Sequence, residues 1–559
     1  MIIRMASTLS LLAAIPAVAE VDIAQKDSTW FTDAQAALTA REAVTNNTNR
    51  ARNVILFVAD GNSIGTQYAT RLWVGQKAGG LGDDHVLPQE KFPYSALVKT
   101  YTTNGQTPDS APTASALNTG IKSRNGTINI DDAGAYDSCD AAATAGLTTF
   151  AEIVSDMGKS VGIVSTARLT HATPAAVYAR TANRDWEDDT KLPEGCAQKD
   201  IAAQMVDAIE AGTVDLALGG GRANFLPAGI TDDEGTEGRR VDNRNLVDEI
   251  TAKGWQYVWN DQTFADADPA QPILGLFEGS HMQYEEDRTD EPSLAEMTEK
   301  AITSLSQNGD GYYLMVEAGR VDHANHDGNL HRAVTDGAAF AEAIEKAVSM
   351  VDQEETLIVV TADHGHVLEF NGYCGRGTPI TGLCYNVDDE GPEHSEDLAM
   401  ALDGKPYSVA SYLNGAGSIL HQEEGSNDYT GTREVLTQEQ ATDPDFLQQA
   451  LLPLPSETHS AVDVAVMAQG PWAHLFGGVI EQNLIFHVMY KAITAGDASA
   501  AGMDADTSAD MADGAEAGEA MTDGSEAETA NDGDKMDPDA PTSASESHDA
   551  ATGETNGSN

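Results

Sequence analysis

The chain has 559 residues, of which 89 are Asp or Glu and 32 are Lys or Arg, so its formal net charge is −57. This acidic balance argues against nucleic-acid binding and against docking on anionic membranes, because both need basic surface. Hydrophobic residues make up 41% of the chain, which is enough to bury a sizeable core.

The two ends of the chain differ in composition from the body. Residues 1–19 carry Arg4, an apolar run and a final Ala17-Val18-Ala19, a pattern typical of a secretory signal. Residues 496–559 are mostly Ala, Asp, Glu, Gly, Ser and Thr, which predicts a disordered acidic tail. We therefore expect a folded domain over 20–495, in a periplasmic or secreted protein. Its acidic body favours adaptation to a saline habitat, where salt screens self-repulsion.

Short apolar, β-branched runs alternate with helical patterns along the body. The predicted helices are 28–44, 142–157, 200–210, 293–306 and 330–351, and the predicted strands are 54–58, 161–164, 214–218, 312–316, 357–361 and 462–467. This alternation predicts an α/β fold with a doubly wound, mostly parallel sheet and helices on both faces. Residues 371–455 are rich in Gly, Pro and acids and break the pattern, which predicts an inserted subdomain.

Three predicted strands are followed by a carboxylate within two residues. Asp60 follows 54–58, Glu317 follows 312–316, and Asp363 follows 357–361. Ligands bind at the carboxyl ends of parallel strands, where converging carboxylates repel one another unless cations neutralise them. A single acid there would most simply cap the next helix, but three of them favour a metal site.

Histidines supply further candidate ligands. Asp322 and His326 are four residues apart, on one face of a helix, and His364 directly follows Asp363. Oxygen and nitrogen ligands without thiolates suit Zn²⁺, and an all-oxygen set suits Mg²⁺. Any one of these histidines alone would more simply be structural, so it is their clustering that indicates metal.

Ser110 begins an Ala-rich helical run. The simpler interpretation of this segment alone is a helix-capping serine. The functional alternative is a nucleophile whose alkoxide is favoured by the helix dipole and a nearby metal. The sequence around Ser110 lacks the Gly-x-Ser-x-Gly elbow, so a hydrolase triad is not indicated.

Several motifs follow one another in the order that one enzyme family shows, between about residues 50 and 495. They are Phe57-Val58-Ala59-Asp60-Gly61, Pro108-Asp109-Ser110-Ala111, His171-Ala172-Thr173-Pro174, Asn183-Arg184-Asp185-Trp186, Glu317–His326, Thr361-Ala362-Asp363-His364 and Glu457-Thr458-His459. Together they resemble the metal-dependent alkaline phosphatases. With His171 and His323, the chain resembles the animal enzymes of that family.

The resemblance implies an exported hydrolase of phosphate monoesters, active at alkaline pH, with two zinc ions and one magnesium. Asp322, His326 and His459 would hold the first zinc. Asp60, Asp363 and His364 would hold the second, which also contacts Ser110. Asp60 would bridge to magnesium, completed by Thr173, Glu317 and water held by His171. Ser110 would be the nucleophile that forms a phosphoseryl intermediate, with Arg184 as the phosphate clamp and His323 as a further phosphate contact.

The resemblance also implies features outside the active site. Cys139 and Cys196 match a disulfide of the animal-type enzymes, and we expect Cys374 and Cys384 to be bridged as well, since export favours pairing. Phe277, Glu278 and Glu291 match a stretch that binds calcium in those enzymes, although Glu291 stands where Asp is expected; a solvated charged face is the alternative. A homodimer is expected, with the insertion near the interface and residues 28–44 embracing the partner.

Two other functions stay open. One is a phosphodiesterase or sulfatase of the same superfamily, although Ala111-Pro112-Thr113-Ala114 lacks the arginine of a sulfatase motif. A diesterase would often use a threonine nucleophile and lack the third metal set, against which Thr173 and Glu317 argue. The other is a non-enzymatic protein that sequesters phosphate or metal, which would not require Ser110 and Arg184.

Overall fold

The computed structural model describes residues 23–232 and 234–496. The expected signal sequence at 1–19 and the acidic tail from residue 497 onward lie outside the described residues. The chain divides into a first unit that ends at Thr45 and a second that begins at Asn46. The first contains α1 (Thr29–Glu42), which matches the helix predicted over 28–44 and leaves Trp30 and Leu38 exposed.

The second unit contains the strands of the fold. In chain order they are β1 (Asn53–Ala59), β2 (Tyr94–Lys99), β3 (Ser160–Arg168), β4 (Leu216–Gly220), β5 (Gln256–Val258), β6 (Ile273–Leu276), β7 (Tyr312–Ala318), β8 (Thr356–Ala362), β9 (Gly365–His366), β10 (Leu368–Phe370), β11 (Tyr385–Val387), β12 (His394–Leu398), β13 (Ala410–Tyr412), β14 (Asn414–Gly415), β15 (His421–Gln422), β16 (Tyr429–Thr430), β17 (Leu452–Pro453), β18 (His459–Ser460), β19 (Val464–Gln469) and β20 (Val479–Glu481). Ten of them form one sheet, in the order β20-β2-β19-β8-β1-β7-β3-β4-β6-β5. From β8 to β5 all neighbours are parallel, whereas β19 runs antiparallel to both β8 and β2.

Helices cover both faces of this sheet. They are α2 (Ile64–Lys77), α3 (Ser110–Thr119), α4 (Ala141–Ala145), α5 (Phe150–Asp156), α6 (Ala172–Ala175), α7 (Ile201–Ala211), α8 (Leu246–Thr251), α9 (Asp261–Asp266), α10 (Leu294–Leu305), α11 (Arg320–His326), α12 (Leu330–Met350), α13 (Gln438–Ala441) and α14 (Leu484–Thr494), with 3₁₀ turns at Pro88–Lys91, Arg222–Phe225 and Ala473–Leu475. Alternate residues of a strand point to opposite faces. Val54, Leu56 and Val58 of β1 accordingly pack in the core cluster that holds α5, α7 and α14, while Ile55 and Phe57 pack with α10 and α12. The predicted doubly wound, mostly parallel α/β fold is confirmed.

The helix predicted over 142–157 is wrong in one respect, because it is two helices. α4 ends before Gly146, whose extended backbone (ψ 135°) leaves the helical region. Thr149 then starts α5 as a capping residue: its hydroxyl accepts from the Glu152 N–H, and the Glu152 carboxylate accepts from the Thr149 N–H. This reciprocal capping begins a new helix after the break at Gly146.

Small two-stranded sheets occupy the region of the predicted insertion. They pair β10 with β13, β11 with β12, β14 with β17 and β15 with β16. The Cys374–Cys384 disulfide closes a loop in this region, and the Cys139–Cys196 disulfide lies outside it, so both expected bridges are present. Across the described part of the chain, no helix combines the length and the apolar character that a bilayer span requires.

Candidate metal centre and active site

The register of the central strands brings the three strand-end carboxylates together. β1 lies between β7 and β8, with Ala59 opposite both Ala318 and Ala362. Asp60 and Asp363 therefore leave adjacent strands at the same level, and Glu317 lies two residues lower, opposite Val58. All three side chains are fully buried. The predicted convergence of Asp60, Glu317 and Asp363 at one sheet edge is what the topology produces.

Ser110 lies against the first group of candidate ligands, Asp60, Asp363 and His364. Its hydroxyl oxygen is 3.0 Å from His364 Nε2 and 3.3 Å from Asp60 Oδ1. His364 Nε2 is also 3.3 Å from Asp60 Oδ1 and 3.3 Å from Asp363 Oδ2. The main-chain N–H groups of Gly61 and His364 donate to Asp363 Oδ1, which fixes that carboxylate. Four polar atoms, Ser110 Oγ, His364 Nε2, Asp60 Oδ1 and Asp363 Oδ2, thus lie together in one buried space.

Asp322, His326 and His459 form a second group beside the first. His326 donates its Nδ1 proton to the Glu457 carbonyl and His459 donates its own to the Pro108 carbonyl. A neutral imidazole carries one proton, so both Nε2 atoms present lone pairs. These Nε2 atoms are 3.0 Å apart, and they lie 3.5 Å and 3.4 Å from the two oxygens of Asp322.

These separations fit a divalent metal. Ligand atoms at 2.0–2.1 Å from a tetrahedral zinc ion lie about 3.3 Å from one another. The cited distances within both groups range from 3.0 to 3.5 Å, and in the second group the Nε2 lone pairs and the Asp322 oxygens face each other across them. Such contacts are repulsive without a cation between the atoms. The donor sets of nitrogen and oxygen atoms, without thiolate, are ones that zinc accepts.

A third group shares Asp60 with the first. Ligand atoms of Asp60, His171 and Glu317 all lie within 4.8 Å of one another. Ser165 donates a short hydrogen bond to Glu317, and the buried Thr173 side chain lies close enough to affect the Glu317 carboxylate. This oxygen-rich set suits a hard cation such as Mg²⁺.

The electrostatics of the site also favour bound cations or protons at the buried carboxylates. Burial raises the pKa of Asp60 well above its usual range, and the negative charges of Asp363, Asp322 and Glu317 raise it further. Burial likewise raises the pKa of Glu317 to about 7, against the opposing effects of His171, Ser165 and Thr173. Burial lowers the pKa of His364 to about 3, so its imidazole is neutral and able to bind metal.

Ser110 is the first residue of α3, at the positive end of a ten-residue helix. The preceding Asp109 caps that helix by accepting from the Ala111 N–H, and it also accepts from the Gly126 N–H. Arg184 reaches Asp109 through Nη1, at 3.4 Å, and donates through Nη2 to His171 Nε2, at 2.9 Å. Arg184 is buried rather than on the surface, and Glu187, one of the two acids that could form a simple surface pair with it, is paired with Arg168.

His323 lies at the same edge of the site. It is buried, its ring centroid is 5.6 Å from that of His171, and Arg320 donates to its Nδ1 at 3.1 Å. The structure therefore brings Ser110, Arg184, His171 and His323 close to the three ligand groups.

Two residues of the site were missed by sequence analysis as functional residues: His366 and Glu457. His366 Nε2 is 2.7 Å from Asp322 Oδ1, and its Nδ1 is 2.5 Å from Glu457 Oε2. Burial opposes a charge on His366, but Glu457 and Asp322 raise its pKa to about 9. Both ring nitrogens therefore donate to carboxylates, and His366 orients Asp322 rather than offering a lone pair to a metal. The spacing of His364 and His366, two residues apart after a strand, could have indicated it.

The predicted calcium residues lie elsewhere in the fold, after β6. Gln283 connects two of them, since its main-chain N–H donates to Glu291 and its side-chain amide donates to Glu278. Burial raises the pKa of Glu291 to about 8, and Glu278 raises it further. Oxygen Oε2 of Glu291 is buried and accepts no hydrogen bond within the described residues. Phe277 is also buried, so a wholly solvated charged face does not describe this stretch.

The fold and these buried carboxylate–imidazole groups define a doubly wound α/β protein with candidate divalent-metal sites around a serine. Comparison with known proteins identifies the family. The family model described as alkaline phosphatase matches residues 51–495. The chain therefore belongs to the alkaline phosphatase family, and it is an enzyme that hydrolyses phosphate monoesters.

Individual relatives agree with this assignment. The tissue-nonspecific alkaline phosphatase isozyme of Felis catus is 40% identical over 494 residues, covering 84% of this chain and 90% of the relative. An alkaline phosphatase of Gadus morhua is 40% identical over 466 residues, covering 80% of this chain and 93% of the relative. The crystal structure of Thermus thermophilus alkaline phosphatase shares the fold, with a TM-score of 0.57 at 23% identity, over 82% of this chain and 94% of that one.

Proposed function

We propose that this enzyme hydrolyses phosphate monoesters through a phosphoseryl intermediate on Ser110. The hydroxyl oxygen of Ser110 attacks phosphorus, the bond to the leaving-group oxygen breaks, and the phosphoryl group is transferred to the serine. Water then attacks the phosphoserine, which releases inorganic phosphate and regenerates the hydroxyl. The position of Ser110 supports this role, since its oxygen lies at a helix N-terminus and beside two candidate ligands, Asp60 and His364.

Protein groups around Ser110 would position the dianionic substrate. Arg184 offers a planar guanidinium to two phosphate oxygens, held in place by Asp109 and His171. His323 would contact the same phosphate from the neighbouring edge. Phosphoryl transfer receives little covalent help from a protein, so this positioning and the local charge carry most of the catalysis.

Three divalent ions would complete the site. One zinc ion would be held by Asp322, His326 and His459, and the other by Asp60, Asp363 and His364. A magnesium ion would be held by Asp60, Thr173 and Glu317, with water held by His171. When bound, these ions supply Lewis-acid stabilisation of the charge on the attacking and leaving oxygens. The fit of both nitrogen-containing groups to tetrahedral ligand spacing supports the zinc assignment.

The observation that carries the proposal is the contact of Ser110 with His364 and Asp60 inside a cluster of buried carboxylates. The test is hydrolysis of a chromogenic phosphate monoester by the wild-type protein, by Ser110→Ala and after chelation. We expect Ser110→Ala and the chelated enzyme to lose activity, and zinc with magnesium to restore only the latter. Full activity in Ser110→Ala would refute the proposal. Rates on a matched phosphate diester separate it from a phosphodiesterase.

We further propose that the protein is exported and dimeric and that it binds calcium through the Phe277 carbonyl, Glu278 and Glu291. The paired cysteines support an oxidising compartment. Exposed Trp30 and Leu38 on α1 support a contact with a second copy. Analytical ultracentrifugation and calcium titration of the chelated protein test the last two points; a monomer and an absence of binding would refute them.

A further inference from the structure

Tyr136 lies next to the proposed phosphate clamp, although none of the roles above involves it. Its side chain is an exposed aromatic, with 39% of the residue accessible. The inner side of the ring packs on Gly126, where an added Cβ would lie 2.5 Å from a ring carbon. One surface of the ring is thus fixed by the protein, while part of it remains open to solvent.

Gly126 links this ring directly to the groups that would hold phosphate. Its N–H donates to the Asp109 carboxylate, and its carbonyl accepts from the Arg184 main-chain N–H at 2.9 Å. Asp109 in turn contacts the Arg184 guanidinium. Tyr136 therefore lies at the rim of the site, one glycine away from Asp109 and Arg184.

The loop that carries Tyr136 is tied to the clamp segment at several points. The Asp137 N–H donates to the Ala182 carbonyl at 3.1 Å, and the Asn183 side-chain amide donates to the Asp137 carboxylate at 2.7 Å. The Cys139–Cys196 disulfide holds the same loop. The ring is consequently preorganised beside Arg184, which reduces the entropy lost when a substrate group packs on it.

The hydroxyl group of Tyr136 stays protonated at alkaline pH. Burial raises its pKa to about 12, and the charges of Asp137, Asp185 and Asp109 act in the same direction. A neutral ring does not repel a phosphate dianion, and its face and edge can pack against another aromatic group.

We propose that Tyr136 contacts the leaving group of the substrate and favours phosphate monoesters whose leaving group carries an aromatic ring, such as aryl and nucleoside phosphates, over aliphatic ones. This inference rests on the proposed function, because the phosphate is assumed to bind at Arg184 and Ser110. The ring acts on the ester group and not on the phosphate, so its contribution lies in KM for aromatic substrates.

The test compares phenyl phosphate with ethyl phosphate, with inorganic phosphate as inhibitor, for the wild-type enzyme, Tyr136→Ala and Tyr136→Phe. We expect Tyr136→Ala to raise KM for phenyl phosphate roughly two- to tenfold, the range of one aromatic pair. KM for ethyl phosphate and Ki for inorganic phosphate should stay within about twofold of the wild type. Tyr136→Phe keeps the ring and should behave as the wild type. Tyr429→Ala is the matched control, because Tyr429 is similarly exposed, at 47%, in the insertion.

Two results would overturn the inference. Parallel changes for phenyl phosphate, ethyl phosphate and inorganic phosphate would mean that Tyr136 acts only by supporting Arg184, and unchanged constants would mean that it does nothing. If Tyr136→Ala fails to fold, inhibition of the wild type by phenylphosphonate and methylphosphonate gives the same decision, since equal Ki values contradict an aromatic contact. All of these measurements are made on enzymes that keep Ser110. The proposed function is tested separately, because it is refuted if Ser110→Ala remains active.

Discussion

The Nε2 atoms of His326 and His459 lie 3.0 Å apart, although each ring has already donated its other N–H to a main-chain carbonyl. Two lone pairs at this distance repel each other in a neutral, metal-free site. The main chain at Pro108 and Glu457 therefore holds both imidazoles in the tautomer that binds a cation, and Asp322 supplies the compensating negative charge.

Removing one of these imidazoles should remove one metal ion. We expect His459→Ala to lose about one zinc ion per chain by elemental analysis and to lose activity by more than the ~10–100-fold that second-shell changes cost. His421→Ala is the control, because His421 is exposed on β15. Wild-type metal content in His459→Ala would contradict the assignment of this ligand group.

His366 should act through Asp322. We expect His366→Asn to weaken zinc binding or activity ~10–100-fold, because the Asp322 carboxylate loses the imidazolium that orients it. Excess zinc should restore much of the activity, which a direct catalytic role would not allow. Activity that remains low at every zinc concentration would argue against a positioning role.

The metal-free protein should lose stability as pH rises from 6 to 9. Glu317 and Asp336 have pKa values raised to about 7 and Glu291 to about 8, and that of His366 is raised to about 9. Each group binds its proton more tightly in the folded protein than in the unfolded chain, so its stabilising contribution is fully present below the pKa it has in the unfolded chain. That contribution is lost as pH rises through the pKa of the folded state. Melting temperatures of the chelated protein should fall by several degrees across this range.

Added zinc and magnesium should reduce that pH dependence, because cations replace the protons of Glu317 and neighbouring acids. Melting the loaded and chelated proteins side by side provides the comparison. A chelated protein that is more stable at pH 9 than at pH 6 would contradict the description of these buried acids.

The high negative charge predicts a dependence on salt. Raising ionic strength from about 0.1 M to about 1 M shortens the Debye length from about 10 Å to about 3 Å, which screens repulsion between surface carboxylates. We expect the melting temperature to rise steeply over this range of sodium chloride. Sucrose at matched osmolality is the control, and equal melting temperatures at both salt concentrations would count against salt adaptation.

The sequence was sufficient to predict six of the ten strands of the main sheet, because buried strands have continuous apolar runs. Asp60, Glu317 and Asp363 each follow such a run, and the known geometry of parallel sheets then brings them to one edge. The break between α4 and α5 was not predicted, because it depends on reciprocal capping hydrogen bonds between Thr149 and Glu152. This local interaction does not interrupt the helical pattern of the sequence.

The second layer of the site could not be predicted in the same way. His366 and Glu457 are 91 residues apart, and their contact depends on the antiparallel pairing of two short strands, β9 and β18. Neither strand has an apolar run long enough to indicate it. Tyr136 belongs to the same category, since its position depends on a loop held by hydrogen bonds and a disulfide.

The most direct test of the account is to locate the phosphoryl group. The enzyme would be incubated with radiolabelled phosphate or substrate and quenched in acid, and the labelled peptide would be identified by mass spectrometry. The account predicts a single phosphoserine at Ser110, with no label in Ser110→Ala or in the chelated enzyme. Label on any other residue, or full turnover without a labelled serine, would contradict it.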